Sequence, residues 1–573
     1  MRFLIYNFGG LPGDLYQLVP DKFLATLCAV LNRARAGSAM VWDRGNLHDA
    51  ESLLPSSTVR AALKPAARRL FRHLAERGAP SLLDKAAFGG LSGLADRQTA
   101  AACRRMIERD VQRIDRESPE AVFVNLRHGP GFGDSMNLAR MLRQARPDLR
   151  LFAIGHRASW FARELADRHE QFDAFVVGPS SYATMAALAA GADPADVVNT
   201  VYRRDGEVHA TERDFSDTSG DDLIPDYSPD VYRGSDGQLA FREVVLANEA
   251  CPYSCHFCIR PCTYGTKWEA RDPSLVADEV EHHVRQGIRC FRFSDSTPPP
   301  GALTALAEEL LRRGLHEEGL HISSFGRGNR NMREDYSVLR QAGFEAMFFG
   351  VESGSQRVLD GALGKKIRVE EVRETIRQVH DAGILAIASF IFPTPGETPE
   401  TMRETLDLLA ELKPYLAGAL VQPAGVYPRT PWHLEPERFG TQVDEDYVQR
   451  AIVYPIEPLK PLRFWKPFPF RYNLMGKPAA EVQFRDIVDC FTDFTRRVWG
   501  AEEHGGLGIP SVQDYGHVLA RRLGREAEAF SREAMQHMVA RDVQALAVLC
   551  GIGCVARPSG SNKQRRGEAE LAA

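Results

Sequence analysis

Short apolar runs alternate with longer stretches of helical periodicity over the first two hundred residues. The runs read as strands at Arg2–Phe8, Ala39–Asp43, Ala121–Leu126, Leu149–Gly155 and Asp173–Gly178. Helices are expected over Asp21–Arg35, Asp134–Arg146, Trp160–His169 and Tyr182–Ala190. This βαβ rhythm predicts a doubly wound parallel sheet, with ligands bound in the crevice at the carboxyl ends of its strands. Glycine loops fall at that edge: Gly9, Gly10 and Gly13 after the first strand, and Gly129, Gly131 and Gly133 after the third. Sharp turns also need glycine, so the loops alone identify no ligand. No GxGxxG follows the first strand, which disfavours a dinucleotide. An insertion over about Asn46 to Pro119 reads as helical and arginine-rich, with Arg68, Arg69 and Arg72 in one stretch.

From about Phe241 to Pro423 the rhythm returns. Strands are expected at Glu243–Asn248, Ile288–Ser294, His321–Phe325, Ala346–Glu352, Leu385–Phe392 and Gly418–Gln422. Helices are expected at Pro273–Gln286, Ala302–Arg313, Arg333–Ala342, Ser355–Leu363, Val369–Ala382 and Pro399–Leu412. After about Gly425 the alternation stops. Leu462–Tyr472 is dense in aromatics and cations, and Pro467 and Pro469 make it a loop or extended segment. It reads as a cap over an aromatic pocket or as a packing strap. Residues 479–550 read as amphipathic helices. The expected division is 1–205, a linker at 206–240, then 241–424, a mostly helical 425–557, and a disordered tail at 558–573.

Composition narrows the function classes. A chain of 573 residues exceeds one ordinary domain. Its net charge of −5 leaves no basic field for nucleic acid. No apolar run approaches the roughly 20 residues that span a bilayer. The first ten residues read as a strand and a glycine loop, not as a signal peptide. Ten cysteines, three of them in one cluster, suit a reduced cytoplasm and a metal site better than a disulfide framework.

That cluster is Cys251-Pro-Tyr-Ser-Cys255-His-Phe-Cys258, directly after an apolar run. Thiolates are soft ligands, suited to an iron–sulfur cluster or to zinc. A structural zinc site needs a fourth ligand and is usually built from CxxC pairs. Three thiolates on one loop can hold three irons of a [4Fe–4S] cube and leave the fourth iron open to a chelating ligand. Cys262 reads as a free loop thiol or a spare ligand, and Cys290 as core. Cys550 and Cys554 read as a helix end.

CxxxCxxC with Phe257 before the third cysteine resembles the signature of the radical S-adenosylmethionine (SAM) enzymes. The resemblance implies a partial (β/α)6 barrel, ligands at the carboxyl ends of its strands, and Cys251, Cys255 and Cys258 as cluster ligands. Asp295, Ser296 and Thr297 stand where the family holds the amino group of SAM, although no GGE is present. Ser324 and Arg327 end the third strand, where a guanidinium fork could pair with the carboxylate of SAM. Phe348-Phe-Gly-Val-Glu352-Ser353 resembles the fourth-strand motif that faces the ribose. Phe390-Ile-Phe-Pro-Thr-Pro-Gly396-Glu resembles the fifth-strand motif along the adenine.

An α/β domain upstream of such a barrel is similar to the Rossmann-like cobalamin-binding domain of the cobalamin-dependent branch. The resemblance assigns Gly9, Gly10, Gly129, Gly131 and Gly178 to the corrin site. The cobalt-ligating Asp-x-His-x-x-Gly is absent; the nearest string, Asp167-Arg-His-Glu-Gln-Phe172, departs from it. Cobalamin without a protein histidine on its lower face is therefore expected, with an insertion arginine either near that face or simply solvated. A flavodoxin-like domain without cofactor is the alternative. The implied activity is transfer of a methyl group from SAM through methylcobalamin to a carbon of a small-molecule or peptide substrate. A donor such as flavodoxin or ferredoxin would supply electrons. A cyclase or rearrangement enzyme of the same family, a subtype that forms no deoxyadenosyl radical, and a non-enzymatic cobalamin or iron–sulfur sensor remain open. A methylthiotransferase would need a second cysteine triad, and only Cys28 and Cys103 precede the core.

Overall fold

The computed structural model describes residues 2–33, 37–77, 82–127, 131–294, 297–332, 334–447, 450 and 467–552. Two parallel sheets carry the chain. The first holds β1 (Phe3–Asn7), β2 (Ala39–Asp43), β3 (Ala121–Asn125), β4 (Arg150–Ile154), β5 (Ala174–Val176), β6 (Thr200–Arg204), β7 (Glu207–Ala210) and β8 (Tyr232–Arg233). Their order is β7-β6-β5-β4-β3-β1-β2-β8, antiparallel only at β6 and β7. The chain reverses direction across the sheet between β1 and β3, which is the switch point where open α/β sheets bind ligands.

Both faces of this sheet are covered, which is why β1 and β3 are apolar without alternation. Phe3 and Ile5 pack with Leu24, Leu27 and Leu31 of the helix Lys22–Arg33. Leu4 and Tyr6 face the other way, toward Met106, Ile107 and Ile114 of the helix Leu82–Glu117. The insertion thus supplies one wall of the core. Its other long helix, Ser57–Arg77, lies against the C-terminal helix Ala527–Ala540.

The second sheet is the barrel, in the order β14-β13-β12-β11-β10-β9. Its strands are β9 (Phe241–Val245), β10 (Cys290–Ser294), β11 (His321–Gly326), β12 (Phe344–Glu352), β13 (Leu385–Ile391) and β14 (Leu416–Gln422), all parallel. Outward positions such as Val244, Phe291, Phe293 and Met347 meet surrounding helices through Val276, Val280, Leu303 and Leu306. Inward positions Phe241, Cys290, Ala346, Ile387 and Leu420 meet Tyr515, Val518 and Leu519 of the helix Asp514–Arg522. A C-terminal helix therefore fills the lower interior of the barrel.

One ion pair fixes that helix. Arg292, on the inner face of β10, makes two parallel 2.9 Å hydrogen bonds to Asp514. Arg292 is 6% exposed and Asp514 is 0% exposed. The guanidinium also lies over the rings of Tyr16, Phe325 and Tyr515. The chain's first, middle and last parts meet there.

Most elements fall where the periodicity places them, and β2, the helix Tyr182–Ala190 and the helix Pro399–Leu412 match residue for residue. Two readings need correction. The expected helix Trp160–His169 is two helices, His156–Trp160 and Ala162–Arg168, which break at Phe161. The sheet runs past residue 205, because β7 and β8 lie in the segment read as a linker. The aromatic segment, read as a loop or extended, supplies β16 (Phe470–Tyr472), which pairs antiparallel with β15 (Thr441–Val443). The tail 558–573 and Cys554 lie outside the described residues. No described helix is long and apolar enough to cross a membrane.

Replacing Asp514 by Ala strands the Arg292 guanidinium in the barrel interior and should cost about 3–5 kcal/mol. The expected outcome is a large drop in the melting temperature. The volume-matched R292M/D514L double variant should recover most of it, since it removes both charges.

Candidate functional site

The cysteine loop leaves β9 through Leu246–Ala250 and is anchored along its length. Cys251 N–H donates to Gly265 O at 3.2 Å, and Cys258 N–H donates to Cys255 O at 3.1 Å. His256 N–H donates to Leu363 O at 2.8 Å, and a side chain on Gly364 would collide with the His256 ring. Cys258 then caps the short helix Ile259–Tyr264.

Cys251 and Cys255 are buried, Cys258 is half-buried, and none forms a disulfide. Burial raises the Cys251 thiol and pushes that of Cys258 up to about 12. The neighbouring thiols add to both shifts, whereas Arg260 opposes both and Arg327 opposes that of Cys251. Three thiols in one another's field, close to two cations, suit binding as thiolates to a soft cationic group. Among the described residues no three acidic, histidine or cysteine side chains close on one point, as around a single ion. The thiolates of a cube bind three different irons and stand farther apart. Cys262 is an exposed thiol one turn beyond Cys258, Cys290 is core, and Cys550 is a buried helix end.

The strand-end residues singled out from the sequence gather on one rim. Glu352 ends β12 with φ +69, a backbone region costly for a residue with a side chain. Its carboxylate pairs with Lys365 Nζ at 2.7 Å, and both side chains are nearly buried. A side chain on Gly350 would collide with that pair. Arg327 is buried, stacks 3.5 Å from the Tyr253 ring and donates to the Lys365 carbonyl. Arg327 and Glu352 are thus both tied to Lys365, a residue that no local sequence signal marks.

Ser324 Oγ donates to Phe293 O at 3.1 Å, which ties β11 to β10. Ser353 Oγ lies 3.3 Å from Thr405 Oγ1 and accepts Ser355 N–H, so it shapes the turn after β12. Gly396 has φ +80, and its N–H donates to Asn473 O at 2.7 Å. Thr297 is half-buried. Asp295, Ser296 and Gly129 lie outside the described residues.

Beside this rim is a cavity of about 120 Å3. Phe257 of the cysteine loop, Ile391 at the end of β13 and the segment Gln422–Val426 after β14 form one side. Arg157, Tyr427, Trp432 and Phe470 also line the cavity. Trp432 Nε1 donates to Ala362 O at 2.7 Å, which fixes its ring near Phe257. Burial lowers the Arg157 pKa. The sequence reading missed Arg157, Tyr427 and Trp432, since each reaches the cavity from a separate element.

The N-terminal sheet meets the cysteine loop through its own carboxyl edge. Tyr264 OH accepts Trp160 Nε1 at 3.1 Å and lies 3.2 Å from His156 Nδ1. Burial lowers the His156 pKa to about 3, so the ring is neutral. At the switch point, Asn7 Nδ2 donates to Asp43 at 2.6 Å, and Asn125 Nδ2 donates to Asn7 at 3.1 Å. Arg127 stands in the field of Asp14, Asp21 and Asp43. Its Nη1 is buried with no hydrogen-bond partner among the described residues.

The glycines assigned to the corrin site have local tasks. A side chain on Gly9 would strike Gly45, and one on Gly131 would strike Phe8 O. Gly178, at φ +97, faces Ser181 and Phe215. Gly10 has φ +69. Arg68 lines a groove with Arg532 and His537, on the insertion helix against the C-terminal helix. Arg72 carries no described side chain.

Comparison with known proteins bears on this geometry. Residues 246–409 match the model of the radical SAM superfamily. An uncharacterized methyltransferase of Pyrococcus horikoshii is 27% identical over 233 residues, which are 39% of this chain and 49% of that protein. The anaerobic magnesium-protoporphyrin IX monomethyl ester cyclase of Cereibacter sphaeroides is 30% identical over 226 residues, 37% of this chain and 35% of that one. The chain thus spans half or less of the length of these two relatives. TsrM from Kitasatospora setae, a radical SAM methyltransferase solved with cobalamin and a [4Fe–4S] cluster, superimposes with a TM-score of 0.60 at 17% identity. That match covers 96% of this chain and 100% of the other, so the two share a fold from end to end. The barrel that carries Cys251, Cys255 and Cys258 thus matches the radical SAM superfamily over residues 246–409, and the chain shares the fold of TsrM.

Proposed function

We propose that this chain is a cobalamin-dependent radical SAM methyltransferase acting on a carbon of a small-molecule or peptide substrate. The observation that carries the proposal is the convergence of three parts at one rim. The thiol loop, the cavity beside Phe257 and the carboxyl edge of the N-terminal sheet all meet there. Cys251, Cys255 and Cys258 would hold a [4Fe–4S] cluster, and the switch-point crevice, where Arg127 Nη1 has no hydrogen-bond partner among the described residues, would take acceptor groups of a cobalamin.

Cofactors of these kinds supply one-electron cleavage of SAM and a methyl carrier, and the protein binds, orients and shields them. In this reading the cavity would receive the adenine of SAM, held by Phe257, Ile391 and the segment Gln422–Val426. Glu352 would accept from the ribose hydroxyls, with its carboxylate held in place by Lys365. Arg327 would pair with the carboxylate of SAM, and Thr297 would serve its amino group. Tyr427, Trp432 and Phe470 keep water from that rim. An electron donor such as flavodoxin or ferredoxin completes the cycle. The similarity to the cyclase favours a second reading, in which the same machinery rearranges its substrate without methylating it.

Anaerobic reconstitution with iron, sulfide and cobalamin should yield a coloured protein that takes up both metals. Formation of S-adenosylhomocysteine with substrate would support methyl transfer, and 5′-deoxyadenosine without it would favour the second reading. Cys255→Ala should abolish iron–sulfur absorbance and all SAM cleavage; turnover by that variant overturns the proposal. Lys365→Met leaves Glu352 in place but uncompensated, at a cost of about 3 kcal/mol or more. Its affinity for SAM on cluster-loaded protein should fall at least tenfold in equilibrium dialysis.

A further inference from the structure

The helix Ile259–Tyr264 begins where the thiol loop ends, with Cys258 as its cap and Arg260 as its second residue. Arg260 is half-buried, and its Nη1 is fully buried with no hydrogen-bond partner among the described residues. Among those residues Arg260 forms no ion pair either. Its charge nevertheless acts on both ends of the loop. Burial raises the Cys251 and Cys258 thiols, and the Arg260 guanidinium works against both shifts. The backbone N–H of Arg260 also favours the Cys258 thiolate, as that of Tyr253 favours the Cys251 thiolate. The same guanidinium bears on His156 and Tyr264, where the N-terminal sheet meets the loop. Arg327, the other cation in the field of Cys251, is already engaged by the Tyr253 ring and the Lys365 carbonyl.

A guanidinium keeps its proton at any ordinary pH, so one drawn inside without a counter-ion is unfavourable until an anion reaches it. His156 and Tyr264 offer none: burial keeps the imidazole neutral and the phenol protonated. A [4Fe–4S] cube held by three thiolates does offer one. The thiolates outweigh the charge of the oxidised cube, so the assembly is an anion, and one-electron reduction adds a further negative charge. A cation fixed beside it therefore favours the reduced form over the oxidised form. An N–H donated to one of its sulfurs acts in the same direction.

We propose that Arg260 sets the reduction potential of the cluster, with Nη1 donating to one of its sulfurs and the guanidinium charge stabilising the reduced state. The cluster takes one electron from its donor and no proton moves, since Arg260 stays a cation throughout. The consequence is a cluster whose potential lies higher, within easier reach of a donor such as flavodoxin or ferredoxin. This assignment rests on the radical SAM reading of the thiol loop and deepens it by giving the loop its own tuning cation.

The test is a potentiometric titration of anaerobically reconstituted full-length protein, without SAM, followed by the electron paramagnetic resonance signal of the reduced cluster. Arg260→Met should move the midpoint downward by about 59 mV or more, which is a tenfold change in a one-electron equilibrium. Arg260→Lys keeps the charge and loses the guanidinium fork, so its midpoint should lie between those of the wild type and Arg260→Met. A purely structural defect would reduce the amount of cluster bound and leave the midpoint of the remainder alone. A wild-type midpoint in Arg260→Met overturns the assignment. If Arg260→Met holds no iron, Arg260→Lys decides: a lowered midpoint supports the donor to sulfur, and an unchanged one overturns it. Iron content of the same samples separates this assignment from the reading beneath it. A wild type that takes up no iron defeats the radical SAM reading and the assignment with it, whereas loaded protein whose midpoint is indifferent to Arg260 defeats the assignment alone.

Discussion

A guanidinium inside a barrel must be matched, because a buried charge without a partner costs several kcal/mol. Arg292 meets that condition through Asp514, more than two hundred residues later in the chain. The pair does more than neutralise itself. It determines which helix enters the barrel, how far it enters, and where Tyr515 and Tyr16 stand. The helix Asp514–Arg522 thereby fills the lower interior of the barrel. Replacing both charges by apolar residues would hold the helix equally well, so the pair specifies an arrangement more than it adds stability.

Above that level the organising constraint is topological. Both sheets are parallel, and a parallel sheet sends its variable loops to one edge. The structure sets two such edges against each other. Tyr264, just beyond the cysteines, is held by His156 and Trp160 from the other sheet. Arg157, from the same short helix as these two, enters the wall of the cavity beside Phe257. The strained backbone at Glu352 fits this picture, since such conformations persist only where surrounding contacts over-determine them. Here Lys365 and the glycine at 350 provide those contacts.

Much of this was legible beforehand, and unevenly. Strands and helices built from local periodicity were readable to within a few residues, since burial on both faces leaves a continuous apolar run. The thiol loop was legible because its ligands lie within eight residues of one another. The glycines were legible as loops, but their immediate tasks were not. Gly9 and Gly131 let neighbouring loops approach, and nothing local separates that from making room for a ligand. The boundary at 205 misled because β7 and β8, of four and two residues, are edge strands too short to carry a periodicity.

The sequence by itself determined the two parallel sheets, the thiol cluster and the order of the strand-end motifs, because each is written in residues close together along the chain. Only the tertiary structure decided what those motifs touch. Lys365 beside Glu352, Asp514 beside Arg292, Tyr16 beside Glu243 and Trp432 beside Phe257 are pairings between distant segments. A charge or a ring carries no record of its partner until the packing of whole elements brings the two together, and at this site packing alone chose those partners.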